Sequence, residues 1–268
     1  MSPYADFLRS SHTYEVLARL GWMVKGILFS LIGFLALRGA AGRPDEDADP
    51  EGVFALIGDE PYGQALLWGI AAGLLFYGLW RLAVGIFDME EKGTNWMGLA
   101  RRAGFIGVGA FYLFLSAWLG SALAVGDTRP DGEDYTTWAA QIMELPAGPI
   151  FIAIAGFITA FAGLFQIYRA YTAPYEDHWD HERMTGISRW FGRWFARFGV
   201  AGRGGAFIAM AYFIVRSAFE ERPEEARDLG ETFSALAEEP ALLAILGIGF
   251  AAYGLHCFLN ARYRTIGD

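Results

Sequence analysis

The chain has 268 residues, of which 54% are hydrophobic and only 19% charged, and its formal net charge is −9. Whole stretches carry no charge, whereas soluble proteins average about 25% charged residues. This composition excludes a disordered chain and a basic nucleic-acid-binding protein, and the single cysteine, Cys257, excludes an internal disulfide framework.

Six apolar segments are candidates for membrane-spanning helices, because about 20 mostly apolar residues cross a bilayer core of roughly 30 Å. In chain order they cover residues 26–37, 65–87, 103–125, 149–168, 204–215 and 241–259. The first and fifth are short and bounded by cations, whose long side chains can reach the headgroups. A buried soluble helix or an interfacial helix is the alternative for these two. The sequence predicts an all-α integral membrane protein with six transmembrane helices.

Charged residues divide unequally between the two sides of these spans. The loops after the first, third and fifth spans hold 20 of the 30 acidic residues but only six of the 21 cations. Lys and Arg collect in cytoplasmic loops. We therefore expect both termini in the cytoplasm and the acidic loops on the other side.

Several motifs recur three times along the chain. Each odd-numbered span begins with Arg-x-Gly-x4-Gly, and a proline (Pro61, Pro146 or Pro240) precedes each even-numbered span, where a helix start tolerates it. A Gly-x3-Tyr-Gly-Leu stretch occupies 73–79 and 249–255, with a weaker copy ending at Gly163 and Leu164. The single membrane domain, 1–268, is therefore predicted to contain three pseudo-repeated helical hairpins. Their units cover 18–88, 101–170 and 196–262, and 171–195 form a cytoplasmic connection.

These motifs resemble those of a bacterial membrane-protein family catalogued as domain of unknown function 1206, in which a two-helix repeat of about this length occurs three times. The resemblance covers residues 18–262. It implies the fold and a multi-pass location in the bacterial inner (plasma) membrane. Because the activity of the family is uncharacterised, the resemblance transfers no catalytic or binding residue.

Cations inside or near the spans are the candidate ligand-binding residues. One hypothesis is a basic pocket among the three hairpins that binds a lipid phosphate or a small anionic solute. The alternative is that these side chains snorkel to the interface and only fix the orientation. Arg81 argues most strongly for a pocket, since 16 apolar or small residues precede it and six follow it. The candidates are Lys25, Arg81, Arg203, Arg19, Arg102 and Arg197.

Equivalent positions in the three units differ in charge. Lys25 and Arg38 are 13 residues apart in unit one, and Arg203 and Arg216 have the same spacing in unit three. Unit two has Val108 in the first of these places. The second unit therefore departs from the other two in lacking a cation at this position.

Metal and cofactor sites have weak support in the sequence. His178 and His181 are three residues apart and could share a helix face, but a third ligand is missing, so a solvated segment is the alternative. His256 is the single membrane histidine, which does not support a bis-histidine haem site. Residues 190–198 alternate aromatics with arginine and indicate an amphipathic helix at the inner leaflet before the fifth span.

The sequence contains no recognisable catalytic constellation and implies no cofactor. The six apolar cores hold no Asp or Glu, which argues against a coupled transporter with a midplane carboxylate. We therefore expect a non-enzymatic lipid-binding protein or a scaffold or partner subunit. Its partners would be membrane lipids, another membrane protein or a second copy, and not nucleic acid. The alternative is a small channel or transporter for an anionic or neutral solute, with an aqueous path lined by residues such as Arg81 and Thr159.

Overall fold

A computed structural model describes residues 12–43, 48–126 and 135–265. These residues form nine α-helices, which are listed here in chain order: α1 (His12–Ala40), α2 (Pro50–Gly58), α3 (Gly63–Phe87), α4 (Trp96–Ala124), α5 (Tyr135–Met143), α6 (Gly148–Thr172), α7 (Gly186–Glu220), α8 (Leu229–Ala235) and α9 (Pro240–Tyr263). Helices α1, α3, α4, α6, α7 and α9 are long and apolar enough to cross a membrane. The predicted all-α fold with six spans is confirmed.

The short helices α2, α5 and α8 lie in the three acidic loops, where the sequence analysis predicted no helix. The side chain of Asp49 caps α2 by accepting a hydrogen bond from the Gly52 amide at 2.7 Å, and a capping box begins α8. Phe54 of α2 and Phe233 of α8 are buried in the same apolar core as the long helices. These two loops therefore fold onto the end of the bundle at which α1 ends and α9 begins. Residues 44–47 and 127–134 of the acidic loops lie outside the described residues.

Close helix pairs join each unit to the next one. Helix α3 packs on α4, α6 on α7, and α9 returns to α1. The two long helices within a unit are also in contact in unit one (α1 and α3) and in unit three (α7 and α9). In unit two, by contrast, α4 and α6 share no extensive contact within the described residues. The six helices therefore follow the order α4, α3, α1, α9, α7, α6, and we call the side between α4 and α6 the open side.

The glycines of the Arg-x-Gly-x4-Gly motifs account for this packing. The second glycine lies against a helix of another unit, where an added Cβ would come within 3.0 Å of the facing helix, at Gly26, Gly109 and Gly204. The first glycine lies within its own unit: a Cβ on Gly21 would meet Tyr77 Cβ at 2.7 Å, and one on Gly199 would meet Tyr253 Cα at 2.6 Å. A Cβ on Gly104 would meet nothing within 4 Å. Small residues permit close helix contact in membranes, and at Gly104 that contact is missing.

Helix α7 differs from the expectation for residues 190–198. These residues belong to a single helix of 35 residues that continues into the fifth span, so the interpretation as a separate helix lying along the inner leaflet is wrong. The large side chains Trp190, Trp194 and Phe198 are exposed on its first turns. The aromatic and arginine residues therefore extend the span instead of preceding it.

Candidate anion-binding site

Lys25 lies in the interior of the bundle and does not snorkel. Its side chain is buried, with 3% of the residue exposed, and Nζ donates a hydrogen bond to the Tyr77 hydroxyl at 3.1 Å. Aromatic rings surround the ammonium, with centroids 4.9 to 5.7 Å from Nζ; they belong to Trp22, Phe29, Tyr77, Tyr112 and Tyr253. Cation–π attraction of this kind strengthens when the charge is desolvated, so the aromatic cage offsets part of the cost of burying Lys25.

Arg81 meets Lys25 at the same tyrosine. Its Nε donates to the Tyr77 hydroxyl at 3.2 Å, so this one oxygen accepts from two cations. The guanidinium also lies 4.8 Å from the ring of Trp80 and 3.9 Å from a carboxylate oxygen of Glu90. Tyr77 belongs to the recurring Gly-x3-Tyr-Gly-Leu stretch, so this repeated motif supplies the hydroxyl that joins the two cations.

Arg203 forms the equivalent arrangement in unit three. Its Nη1 donates to the Tyr253 hydroxyl at 3.1 Å, and Tyr253 holds the place in α9 that Tyr77 holds in α3. The guanidinium lies 5.1 to 5.2 Å from the rings of Phe29 and Tyr253, which also border Lys25. Lys25, Arg81 and Arg203 therefore converge, and we call them the cation cluster.

The cation cluster has an excess of positive charge and of hydrogen-bond donors. Among the described residues, no carboxylate forms an ion pair with Lys25 or Arg203, whereas Glu90 forms one with Arg81. Two buried N–H groups beside the cluster, Trp22 Nε1 and Arg203 Nε, lack a hydrogen-bond partner within the described part of the chain. Buried donors and charges are costly without partners. The cluster therefore holds buried donors and charge that the described residues do not fully compensate.

Glu90 lies at the edge of the cluster, on the side where α3 and α9 end. It accepts a hydrogen bond from Arg264 at 3.1 Å and lies 3.5 Å from Lys92 and 3.9 Å from Arg81. Burial raises the pKa of Glu90, but the positive charges of Arg264, Arg81 and Lys92 outweigh burial and hold the pKa below its ordinary value. Glu90 is thus ionised at neutral pH. The sequence analysis did not single it out because it follows α3 in an ordinary-looking charged turn.

The other three candidate cations lie outside the cluster. Arg19 donates to the carbonyls of Ala261 and Arg262 at 2.6 and 3.0 Å, at the end of α9. Arg102 donates in the same way to two carbonyls at the end of α3, at 2.8 Å each. A cation at a helix C-terminus satisfies unpaired carbonyls and complements the helix dipole. Arg197 instead pairs with Glu176 at 3.4 Å. The repeated arginine of units one and two therefore joins neighbouring units.

The connection between α6 and α7 covers the end of the bundle near the cluster. Trp179 forms an isolated bridge with Arg264, and its indole N–H donates to Asn260 Oδ1 at 3.2 Å. The Asn260 amide lies 3.0 Å from His256 Nε2. Trp179, Asn260 and His256 are all buried. This connection is consequently part of the folded bundle.

His178 and His181 do not share a helix face. A 3-10 turn ends at His178, and His181 follows in a separate turn. His178 Nδ1 lies 3.2 Å from the Pro174 carbonyl; burial, followed by the charge of Arg264, lowers the pKa of its imidazole. Across the described ranges, no group of three or more His, Cys, Asp or Glu side chains is placed to hold a metal ion.

Comparisons with known proteins agree with this architecture. Three segments, residues 20–88, 103–173 and 198–264, match the model of a family described as Domain of Unknown Function (DUF1206). The uncharacterized protein YxxB of Bacillus subtilis (strain 168) is 28% identical over 249 residues, which cover 92% of this chain and 90% of that protein. No solved structure matches the chain significantly. The three matched segments show that the multi-pass bundle contains three tandem repeats.

Proposed function

Since this chain belongs to the DUF1206 family, whose description gives no function, we propose a function from the site itself: the protein binds an anion at the cation cluster. The observation that carries this proposal is the burial of Lys25 beside Arg203 without a carboxylate partner in the described residues. Removing a charge from water costs on the order of several kcal/mol unless other groups compensate for it. The aromatic cage supplies part of that compensation, and a bound anion would supply more.

A phosphate or carboxylate group is the chemistry that suits these donors. Arg81 and Arg203 bring planar guanidinium groups, which bind such oxygens by paired hydrogen bonds. Lys25 uses one of its three ammonium donors on Tyr77. Under the predicted orientation, the cluster lies toward the inner leaflet, whose anionic lipids attract basic residues. A lipid phosphate and a small anionic solute are both compatible with this chemistry.

Binding is better supported than conduction. The conduction hypothesis requires an aqueous path lined by groups such as Arg81 and Thr159. Thr159 Oγ1 instead donates to the Ala155 carbonyl of its own helix at 2.9 Å, and α2 and α8 fold onto the end of the bundle at which α9 begins. We therefore infer a non-enzymatic membrane protein whose role rests on the bound anion, as a lipid-binding protein or as a partner subunit.

The experiment compares anion binding by the full-length protein and its variants in detergent. Inorganic phosphate is titrated by calorimetry, and dioleoyl phosphatidylglycerol is titrated by native mass spectrometry. We expect Lys25→Met and Arg203→Gln to weaken binding of at least one probe about tenfold, equivalent to about 1.4 kcal/mol. Arg216→Gln is the matched control, since Arg216 lies at the other end of α7 and pairs with Glu220 at 2.9 Å. Unchanged affinity in both cluster variants would refute the proposal.

A further inference from the structure

The geometry points to an anionic phospholipid as the ligand, with its phosphate at the cation cluster and one acyl chain in the open side between α4 and α6. This inference rests on the proposed function, because it takes an anion at the cluster as given and identifies the molecule that carries it. The argument comes from the way in which unit two departs from units one and three.

On the open side, unit two lacks a contact between its two long helices that units one and three both make. Val24 of α1 lies against Gly73 of α3, and Gly202 of α7 lies against Gly249 of α9. Both contacts are so close that a Cβ added to Gly73 or Gly249 would clash. The equivalent residues of unit two are Gly107 and Ile158. A Cβ on Gly107 would meet nothing within 4 Å, and Ile158 is 64% exposed. Two helix faces that are buried elsewhere in the repeat are therefore uncovered here.

The residues on this open side are apolar where their counterparts are polar. Val108 stands at the position of Lys25 and Arg203, and Ala162 at the position of the two tyrosines. Val108 is 37% exposed, whereas Lys25 is 3% exposed. The uncovered faces of α4 and α6 thus lie at the level of the helices at which the cation cluster lies. The residues named here give this surface an apolar character that is suited to hydrocarbon.

Charge at one end of the open side completes the match with a phospholipid. Arg169 lies in the last turn of α6, at the same end of the bundle as Arg81 near the end of α3. A phosphate at this end would meet cations contributed by three helices, while the attached chain would lie along Gly104 and Gly107. Because bilayer hydrocarbon surrounds spanning helices, an acyl chain is the molecule available to fill an apolar opening. A free anion would satisfy the cations and leave the opening unexplained.

The test blocks the opening without altering any cation. Gly107→Leu places a side chain in the open side, and Gly69→Leu is the matched control, because Gly69 is also an exposed glycine of a spanning helix with nothing within 4 Å of an added Cβ. Both full-length variants are titrated in detergent with dioleoyl phosphatidylglycerol and, separately, with inorganic phosphate. We expect Gly107→Leu to bind the lipid about tenfold more weakly than wild type and Gly69→Leu to bind it normally. Phosphate affinity should be the same in all three proteins.

The outcomes separate this inference from the proposed function. Equal lipid binding by Gly107→Leu and Gly69→Leu, together with loss of binding in Arg203→Gln, would overturn the acyl-chain site and leave the anion site in place. Binding of phosphate without any binding of the lipid would also overturn the acyl-chain site. If the wild-type protein binds neither probe, both the inference and the proposed function are wrong. Loss of lipid binding in Gly107→Leu alone supports the inference.

Discussion

Two equivalent glycines provide a direct test of the open side. Gly199 and Gly104 hold the same place in the Arg-x-Gly-x4-Gly motifs of units three and two. An alanine Cβ at 199 would lie 2.6 Å from Tyr253 Cα, a backbone atom that can move only if α9 moves. An alanine Cβ at 104 would have no neighbour within 4 Å. The same substitution is therefore expected to have opposite effects at the two positions.

The expected magnitudes follow from helix propensity and packing. Replacing Gly by Ala within a helix stabilises it by about 1 kcal/mol. Overpacking a close interface costs about 1 to 3 kcal/mol. For Gly199→Ala the packing cost exceeds the gain in propensity, so we expect a net destabilisation of up to about 2 kcal/mol. For Gly104→Ala only the propensity term remains, so we expect a stabilisation of up to about 1 kcal/mol.

The assay is thermal unfolding of the full-length variants in one detergent, followed by circular dichroism and by the loss of monodisperse protein. Gly199→Ala should have a lower midpoint than wild type, and Gly104→Ala the same or a higher one. Gly69→Ala serves as a further control, since its added Cβ also meets nothing. If Gly104→Ala is destabilised as strongly as Gly199→Ala, then α4 and α6 are in close contact in the folded protein, and the reasoning about the open side is refuted.

Three further predictions concern the end of α3, the ionisation of Glu90 and the orientation in the membrane. Arg102→Ala removes two hydrogen bonds to the last carbonyls of α3 and should lower the unfolding free energy by about 1 to 2 kcal/mol. Arg101→Ala is the control: it loses only a 3.8 Å contact with a methionine sulfur and should unfold like wild type. The pKa of Glu90 is below its ordinary value of 4.5, so its ionised form contributes stability above about pH 4.5, and this stability is lost as the pH falls through the lowered pKa. The stability of Glu90→Gln should therefore depend less on pH in the acid range. A pH profile unchanged from wild type would contradict this assignment. Reporter fusions after residues 95, 180 and 268 should give a cytoplasmic signal and a fusion after 225 a signal from the opposite side, and a cytoplasmic signal at 225 would overturn the orientation.

The spans and their repetition could be predicted from the sequence because both depend on local composition. Stretches without charge mark α4 and α6, and the repeated arginine and glycine mark α1 and α7 although their apolar cores are short. The order in which the helices pack could not be predicted this way. The motif marks a glycine as a contact point, but Gly21 and Gly104 are identical in the motif and differ in whether a facing helix is present.

The cation cluster was predicted in part. Charge in an apolar stretch identified Lys25, Arg81 and Arg203, since such residues are rare within membranes and mark functional positions. Arg19 and Arg102 fit the same charge pattern, but both donate to backbone carbonyls of another unit, and such carbonyls have no signature in a sequence. The tyrosines were visible as a repeated motif. Their role depends on α1 and α3 bringing the Tyr77 hydroxyl to Lys25, a pairing across 52 residues.

Two differences in the sequence of α6 accompany the opening and its apolar surface. In unit three, Tyr253 packs its backbone on Gly199 and uses its hydroxyl to bind Arg203, so one residue both joins two helices and holds a cation. At the equivalent place unit two has Ala162, which has no hydroxyl, and Ile158 stands where Gly73 and Gly249 permit close contact in the other units. A cation at position 108 would then be exposed to hydrocarbon without a tyrosine partner, which is costly, and valine stands there instead. The missing tyrosine hydroxyl thus accounts for the absence of a cation at position 108, in the same unit in which the helices separate.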